Sequence, residues 1–447
     1  MRPEVTSYGA VVQLAALGWV PFCVALFLMV RPSKAVAIGL VTGFLVYPVA
    51  TFDLPLIPAY DKRLATVLGP LVGALLMDSK RWLGFRPRWV DLPVAALCAA
   101  PVISALLNGH ALHAGAANSF DFCLRWGAPW LLGRLYFMGF EDQKTFARVI
   151  IAGALIYVPF ALFEVKMSPQ FHQMVYGYGL KAFKHSQRAF GLWRPNVLAE
   201  HGLFYGLYNA FAALLAFWLW FTKAERRIGP IGMGTAAVVL FGMSLAIQSM
   251  NATLMMMVGM AILVSGSRWN WALPVVVLVA AAPCYVYVRQ GLQWDGQELV
   301  EVADEVFGRS RAISLNVRLE NEANLSNRIA EKPWFGYDDF REFTGNTDSK
   351  ANAIVDSMWL LYLGLYGLFA LTALYAMELL PAIFLWRKLP ARYWAHPALA
   401  AGVTFALLTL LIVLDQLLNA TDIAMFTAGG GGATALLGTP EGRRLWT

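Results

Sequence analysis

Charge is scarce in this chain. Only 14% of its 447 residues are Asp, Glu, Lys or Arg, while 58% are apolar. Ordinary soluble domains carry roughly 25% charged residues, so that class is excluded. Cysteine is scarce too. Cys23, Cys98, Cys123 and Cys284 lie in apolar stretches without paired spacing. They read as buried small residues, neither disulfides nor metal ligands. The chain lacks a phosphate-binding glycine loop, an H-E-x-x-H helix, zinc spacing and a nucleophile elbow. Gly429–Gly432 has no accompanying Lys and Ser/Thr, so it reads as close helix packing or a break. No basic patch interleaves with aromatics, so the net charge of +7 points to membrane topology and anionic lipid, with no nucleic-acid partner. The N-terminus lacks a basic n-region, and the first apolar run reads as a retained helix. Without repeats or low-complexity linkers, one domain over 1–447 is the simplest count.

What is present is a succession of long apolar runs. They lie near 10–30, 35–52, 63–78, 90–107, 121–138, 146–166, 203–221, 231–249, 251–266, 271–288, 354–386, 396–417 and 420–438. A span needs about 20 residues, so the expected fold is an all-α, polytopic integral membrane bundle of about 11–13 helices. The 121–138 run carries Arg125 and Arg134 and reads as partly interfacial. Short basic loops hold Lys80, Arg81, Arg86 and Arg88; Lys223, Arg226 and Arg227; and Arg387, Lys388 and Arg392, with Arg443 and Arg444 near the end. Alternating spans put all four on one side, which should be cytoplasmic. Segments 167–202 and 289–353 then face outward, into the periplasm of a bacterium.

Arginines gather in those outward segments against the usual bias: Arg188 and Arg194, then Arg309, Arg311, Arg318 and Arg328. In R-A-F-G-L-W-R-P-N-V-L-A-E-H (188–201), Pro195 is placed to start a helix. Two guanidiniums at a helix N-terminus can cradle a phosphate. The plainer reading is arginines anchored in lipid headgroups. Glu200 and His201, one to two turns further in, are functional candidates or satisfied polar groups of the bundle. The 289–353 segment is too long for an idle connection. A helix is expected from Ser310, as N-cap, to Glu331, stopped by Pro333. On it Arg318 and Glu322 stand at i,i+4, which reads first as a solvated ion pair. Trp334–Tyr337 reads as an aromatic turn near the membrane surface. Asp356 opens the next span, as a helix cap or as a general base.

These constellations, in order, resemble the O-antigen ligase and polysaccharide polymerase superfamily of bacterial inner membranes. The motifs are Arg188, Gly191 and Asn196; S-L-N-V-R (314–318) leading to P-W-F-G-Y-D (333–338); D-S-M-W-L from Asp356, followed by Gly367-Leu368; and L-R-W-G-A-P-W-L-L-G-R-L-Y-F (124–137). The likeness extends over roughly 50–420. Ligases usually carry His-Asn where this chain has Asp356-Ser357, and the family's Ser-Arg pair appears as Ser249-Met250. The chain therefore looks more like the exopolysaccharide-polymerase branch. The resemblance implies a GT-C-like bundle with a large helical periplasmic loop. It implies transfer of a glycan from undecaprenyl diphosphate to a sugar hydroxyl, inverting, with neither metal nor cofactor. Arg188, Arg194 and Arg318 would hold the diphosphate, with Arg318 and Asp356 catalytic and Asp356 the base. Glu200, His201 and Glu322 would support the site. Trp193, Trp334 and Trp359 would stack on sugars, or form an interfacial belt. Implied partners are the lipid-linked donor, a glycan acceptor, the bilayer and a chain-length regulator. The alternatives are a ligase acting on lipid A–core, a transferase acting on protein, and, in another class, a lipid-linked glycan transporter.

Overall fold

A computed structural model describes residues 8–53, 59–180, 186–345, 355 and 357–438. Asp356 and the Arg443–Arg444 pair lie outside them. The chain begins with α1 (Ala10–Met29), α2 (Pro32–Val46), α3 (Lys62–Met77), the short α4 (Ser79–Leu83) and α5 (Leu92–Leu107). Next come α6 (Leu112–Phe122), α7 (Ala128–Tyr136), α8 (Phe140–Met167) and the short α9 (Phe171–Tyr176). Then follow α10 (Gly202–Phe221), α11 (Met233–Ile247), α12 (Met250–Trp269) and α13 (Leu273–Gly291). The segment after α13 supplies α14 (Gln297–Phe307), α15 (Arg309–Glu331) and α16 (Phe340–Thr344). The chain closes with α17 (Met358–Lys388), α18 (Ala400–Asp415) and α19 (Ala424–Gly438). Among the described residues, the only strands are the paired Arg227–Ile228 and Ile231–Gly232.

Seven helices among the described residues are long and apolar enough to cross a membrane. Shorter apolar helices run over Pro32–Val46, Met233–Ile247 and Ala400–Asp415. This is the make-up of an all-α helical membrane protein. Helices α10 and α17 are mostly buried, whereas α1 and α13 expose most of their apolar surface. Such surface is at home in hydrocarbon. It also corrects the cysteines: Cys23 is buried, but Cys123 and Cys284 are exposed. An apolar run does not say which of its faces looks into the protein.

The 121–138 run packs inside the bundle. A π turn (Cys123–Gly127) joins α6 to α7, and Trp126 and Trp130 are fully buried. Buried Arg134 pairs with Asp91 at 2.9 Å. Gly429–Gly432 does not break α19; it brings α19 against α7. A Cβ on Gly431 would stand 2.5 Å from the Trp130 carbonyl oxygen, so only glycine allows this approach.

Helix α17 breaks at Gly367, where φ is +70° and ψ is −172°. The turn 333–338 fills the break. The Tyr337 and Asp338 amides donate to the carbonyls of Gly364 (3.0 Å) and Leu365 (2.7 Å). In return the Leu368 and Phe369 amides donate to the carbonyls of Pro333 (2.7 Å) and Trp334 (3.1 Å). From α5, Ser104 Oγ donates to the Phe335 carbonyl at 2.5 Å and Asn108 Nδ2 to that of Gly336 at 2.9 Å. The aromatic turn is therefore bonded through its backbone to α17 and α5. Unsatisfied peptide groups in an apolar setting are costly, and these bonds satisfy them.

Two ends of the bundle differ in character. At one, basic loops meet: Trp89 packs on Phe384 at 5.6 Å, Trp218 Nε1 donates to the Trp394 carbonyl at 3.2 Å, and the Arg392 amide donates to Asn270 Oδ1 at 3.0 Å. At the other end stand the start of α3, the 186–201 loop, α14–α16 and the turn between α18 and α19.

Candidate functional site

Helix α3 starts at the second end because Asp61 caps it, its Oδ1 accepting from the Leu64 amide at 2.8 Å. That cap places Lys62 and Arg63 in the first turn. Lys62 Nζ donates to the carbonyls of Tyr47 and, at 2.7 Å, Leu198. Arg63 grips Glu200 with two nitrogens (2.9 and 3.1 Å) and Asp422 with a third (2.6 Å). It also lies 5.0 Å from the centre of the Phe204 ring. Arg125, on the π turn, donates to Asp121 at 2.8 Å and to Asp61 at 3.0 Å. Between these groups opens a cleft of about 530 Å³, its mouth included. Its walls carry Lys62, Arg63, Arg125, Glu200 and Asp422 beside Phe44, Val67, Phe204 and Ile423. Ionic and apolar lining side by side suits a ligand with a charged head and a greasy remainder.

Asp422 belongs to the 416–423 turn. The same turn reaches α15: Asn419 Oδ1 accepts from Arg318 Nη2 at 3.4 Å. The Met358 amide donates to the carbonyls of Gln416 (3.0 Å) and Asn419 (3.3 Å). Arg318 and the start of α17 thus meet on Asn419, three residues from Asp422. Asp415 anchors the turn, accepting from Thr421 Oγ1 at 2.5 Å, from Asn419 Nδ2 at 2.9 Å and from Asn251.

The 186–201 loop departs from expectation. Pro195 does not start a helix. Glu164, at the end of α8, accepts from the amides of Asn196 (2.8 Å) and Val197 (2.6 Å) and holds that stretch as a turn. Helix α10 begins at Gly202 with His201 as N-cap, its Nδ1 accepting from the Leu203 amide at 3.1 Å. Buried Arg194 packs on that start: a Cβ on Gly202 would lie 2.7 Å from its side chain. Half-buried Arg188 closes a tight turn with Leu192, beside half-buried Trp193. Arg194, Glu200 and His201 therefore share one site at the start of α10. Arg318 touches Asn419 of the 416–423 turn, which also carries Asp422. Among the described lining residues, Glu200 is the one member of the expected set; Arg188, Arg194 and Arg318 stand outside the walls.

Helix α15 matches the expected helix nearly residue for residue, but Ser310 is not its cap; Gly308 precedes Arg309 without a side-chain cap. Glu322 does not sit on a solvated face. It pairs with Arg289 of α13 at 3.0 Å, both side chains 3% exposed. Burial pushes its carboxyl above the usual range, opposed by the Tyr285 hydroxyl, Arg289 and the Trp359 indole. Trp359 is fully buried. Packed edge-on against Tyr285, it has no face to offer a sugar. Trp334 is 65% exposed and does. Arg328 is occupied with carbonyls of Glu342 and Phe343, so it fastens α16.

Sequence reasoning missed Arg63, Asp422 and Glu164. The available signal was ionisable groups at the heads and tails of apolar runs. Among the described residues, no three His, Cys, Asp or Glu side chains converge as metal ligands. Compared with known protein families and with curated proteins, the chain matches none.

Proposed function

We propose that this chain is a membrane glycosyltransferase that moves a glycan from an undecaprenyl-diphosphate carrier to a sugar hydroxyl, polymerising repeat units. The observation that carries this reading is the cleft where Arg63 and Arg125 stand among carboxylates and apolar walls. Guanidiniums fixed where a lipid diphosphate departs would stabilise its growing charge. Arg194 and Arg318 would steady the donor, and Arg188 would meet it further out. Asp356, two residues before Met358 in the sequence, is the proposed base; it would take the acceptor hydroxyl's proton as that oxygen attacks the anomeric carbon and the diphosphate leaves. The end bearing the basic loops would face the cytoplasm, and the cleft the periplasm, of a bacterial inner membrane.

A ligase acting on lipid A–core differs only in acceptor. A lipid-linked glycan transporter is the reading from another class, and the break in α17 favours it. However, the peptide groups at that break are bonded to the 333–338 turn, which leaves them no role in holding cargo. The test uses purified protein in lipid nanodiscs with lipid-linked repeat units alone. Oligomers should form, and should vanish in Arg63→Ala and Arg318→Ala. Transfer that appears only when core lipid is added would establish the ligase instead. Full turnover in both variants would sink the proposal.

A further inference from the structure

A second cavity opens where the turn after α13 meets α15. It measures about 500 Å³ with its open mouth included. Its floor is the Arg289–Glu322 pair, and that pair has little charge to offer. Arg289 Nε donates to Glu322, Nη2 to the Leu319 carbonyl at 2.8 Å, and Nη1 to the Trp294 carbonyl. The walls are neutral: the amides of Gln290, Gln293 and Asn327, the hydroxyl of Ser326 and the half-buried indole of Trp294. Among the described lining residues, the only other ionic group is exposed Asp295.

Each side-chain amide offers donors and an acceptor together, which matches neighbouring hydroxyls on a sugar ring. The Trp294 indole, its Nε1 already donating to Glu298 at 2.8 Å, offers an apolar face, which matches the carbon side of that ring. An anion would find the Asp295 carboxylate repelling it.

We infer that this groove binds a stretch of uncharged saccharide at the same end of the bundle as the charged cleft. The inference deepens the proposed glycosyl transfer and rests on it for the arrival of a sugar, yet binding is measurable without turnover. The full chain in nanodiscs is titrated by saturation-transfer NMR with six-residue glucans, galactans and mannans, and with hexagalacturonate. At least one neutral oligosaccharide should bind and the galacturonate should not. Trp294→Ala and Asn327→Ala should each weaken binding about tenfold, and Asn327→Gln should restore part of it. Unchanged thermal unfolding of the Asn327 variants excludes a folding defect, because that side chain is exposed. Three results overturn the inference: no binding by any neutral member, preference for the galacturonate, or affinity indifferent to both substitutions. Saccharide binding without transfer under any condition would instead sink the enzymatic reading alone.

Discussion

Two ion pairs set the range of effects at the residue scale. Arg63 and Glu200 are each about a third exposed (32% and 35%), whereas Arg289 and Glu322 are each 3% exposed. Solvent screens the first pair, so Arg63→Ala should cost about 1–2 kcal/mol of stability while abolishing transfer. Arg289→Ala strands a buried carboxylate and should cost about 3–5 kcal/mol. Replacing both partners by Met and Leu should recover most of that. Unfolding midpoints in nanodiscs would check all three.

His110 sets a pH dependence. Its Nδ1 lies 3.1 Å from Asp338 and its Nε2 3.2 Å from Glu342. Only the imidazolium can donate to both. The Asp338 hydrogen bond, with Glu342, therefore raises its pKa against burial. Lys332, bonded to Asn108, is the cation on the same side. A raised folded value means the contact's stability is complete below the unfolded value of about 6.5 and fades as pH climbs through the folded one. Amide exchange over Phe340–Thr344 should quicken with rising pH beyond its intrinsic rate, and His110→Gln should remove that excess. This triad was illegible beforehand, because 228 residues separate His110 from Asp338 and no spacing rule joins them.

Among the elements, α17 and the 333–338 turn depend on one another. Gly336 and Gly367 both have positive φ, and a Cβ on either would stand 2.2–2.3 Å from backbone of the other segment. Gly367→Ala or Gly336→Ala should therefore destabilise by several kcal/mol, combining strain and overlap. Trp334→Ala, in the same short motif, should barely shift the unfolding midpoint, since its side chain is 65% exposed. The sequence announced both pieces, a turn with P-W-F-G-Y and a span with Gly-Leu. It could not announce that one fills the other, because the bonds between them are backbone bonds and carry no residue code. Helix α15 was legible because its charges and Pro333 mark its limits. The start of α10 was not, because Glu164 overrides the proline signal from 32 residues away.

For the molecule as a whole, three basic loops collect at one end and the ionic cleft with α14–α16 at the other. With native cysteines replaced, Asn327→Cys should react with a membrane-impermeant maleimide in intact cells, and Arg227→Cys only after permeabilisation. Labelling from the same side would invert or abolish the orientation. The helical class and the run boundaries were plain from hydropathy. Which helices lie central was not, since α1 and α10 are both apolar all round and only packing separates them.

The insertion of 333–338 into α17 also decides what could be exchanged between relatives. The segment between α13 and α17 is not a detachable cassette. Transplanted alone, it would leave the recipient's span with a gap and the donor's hairpin with nowhere to dock. A workable chimera would have to carry the tip of α5 and the first half of α17 along with it, so that specificity and scaffold would be inherited together.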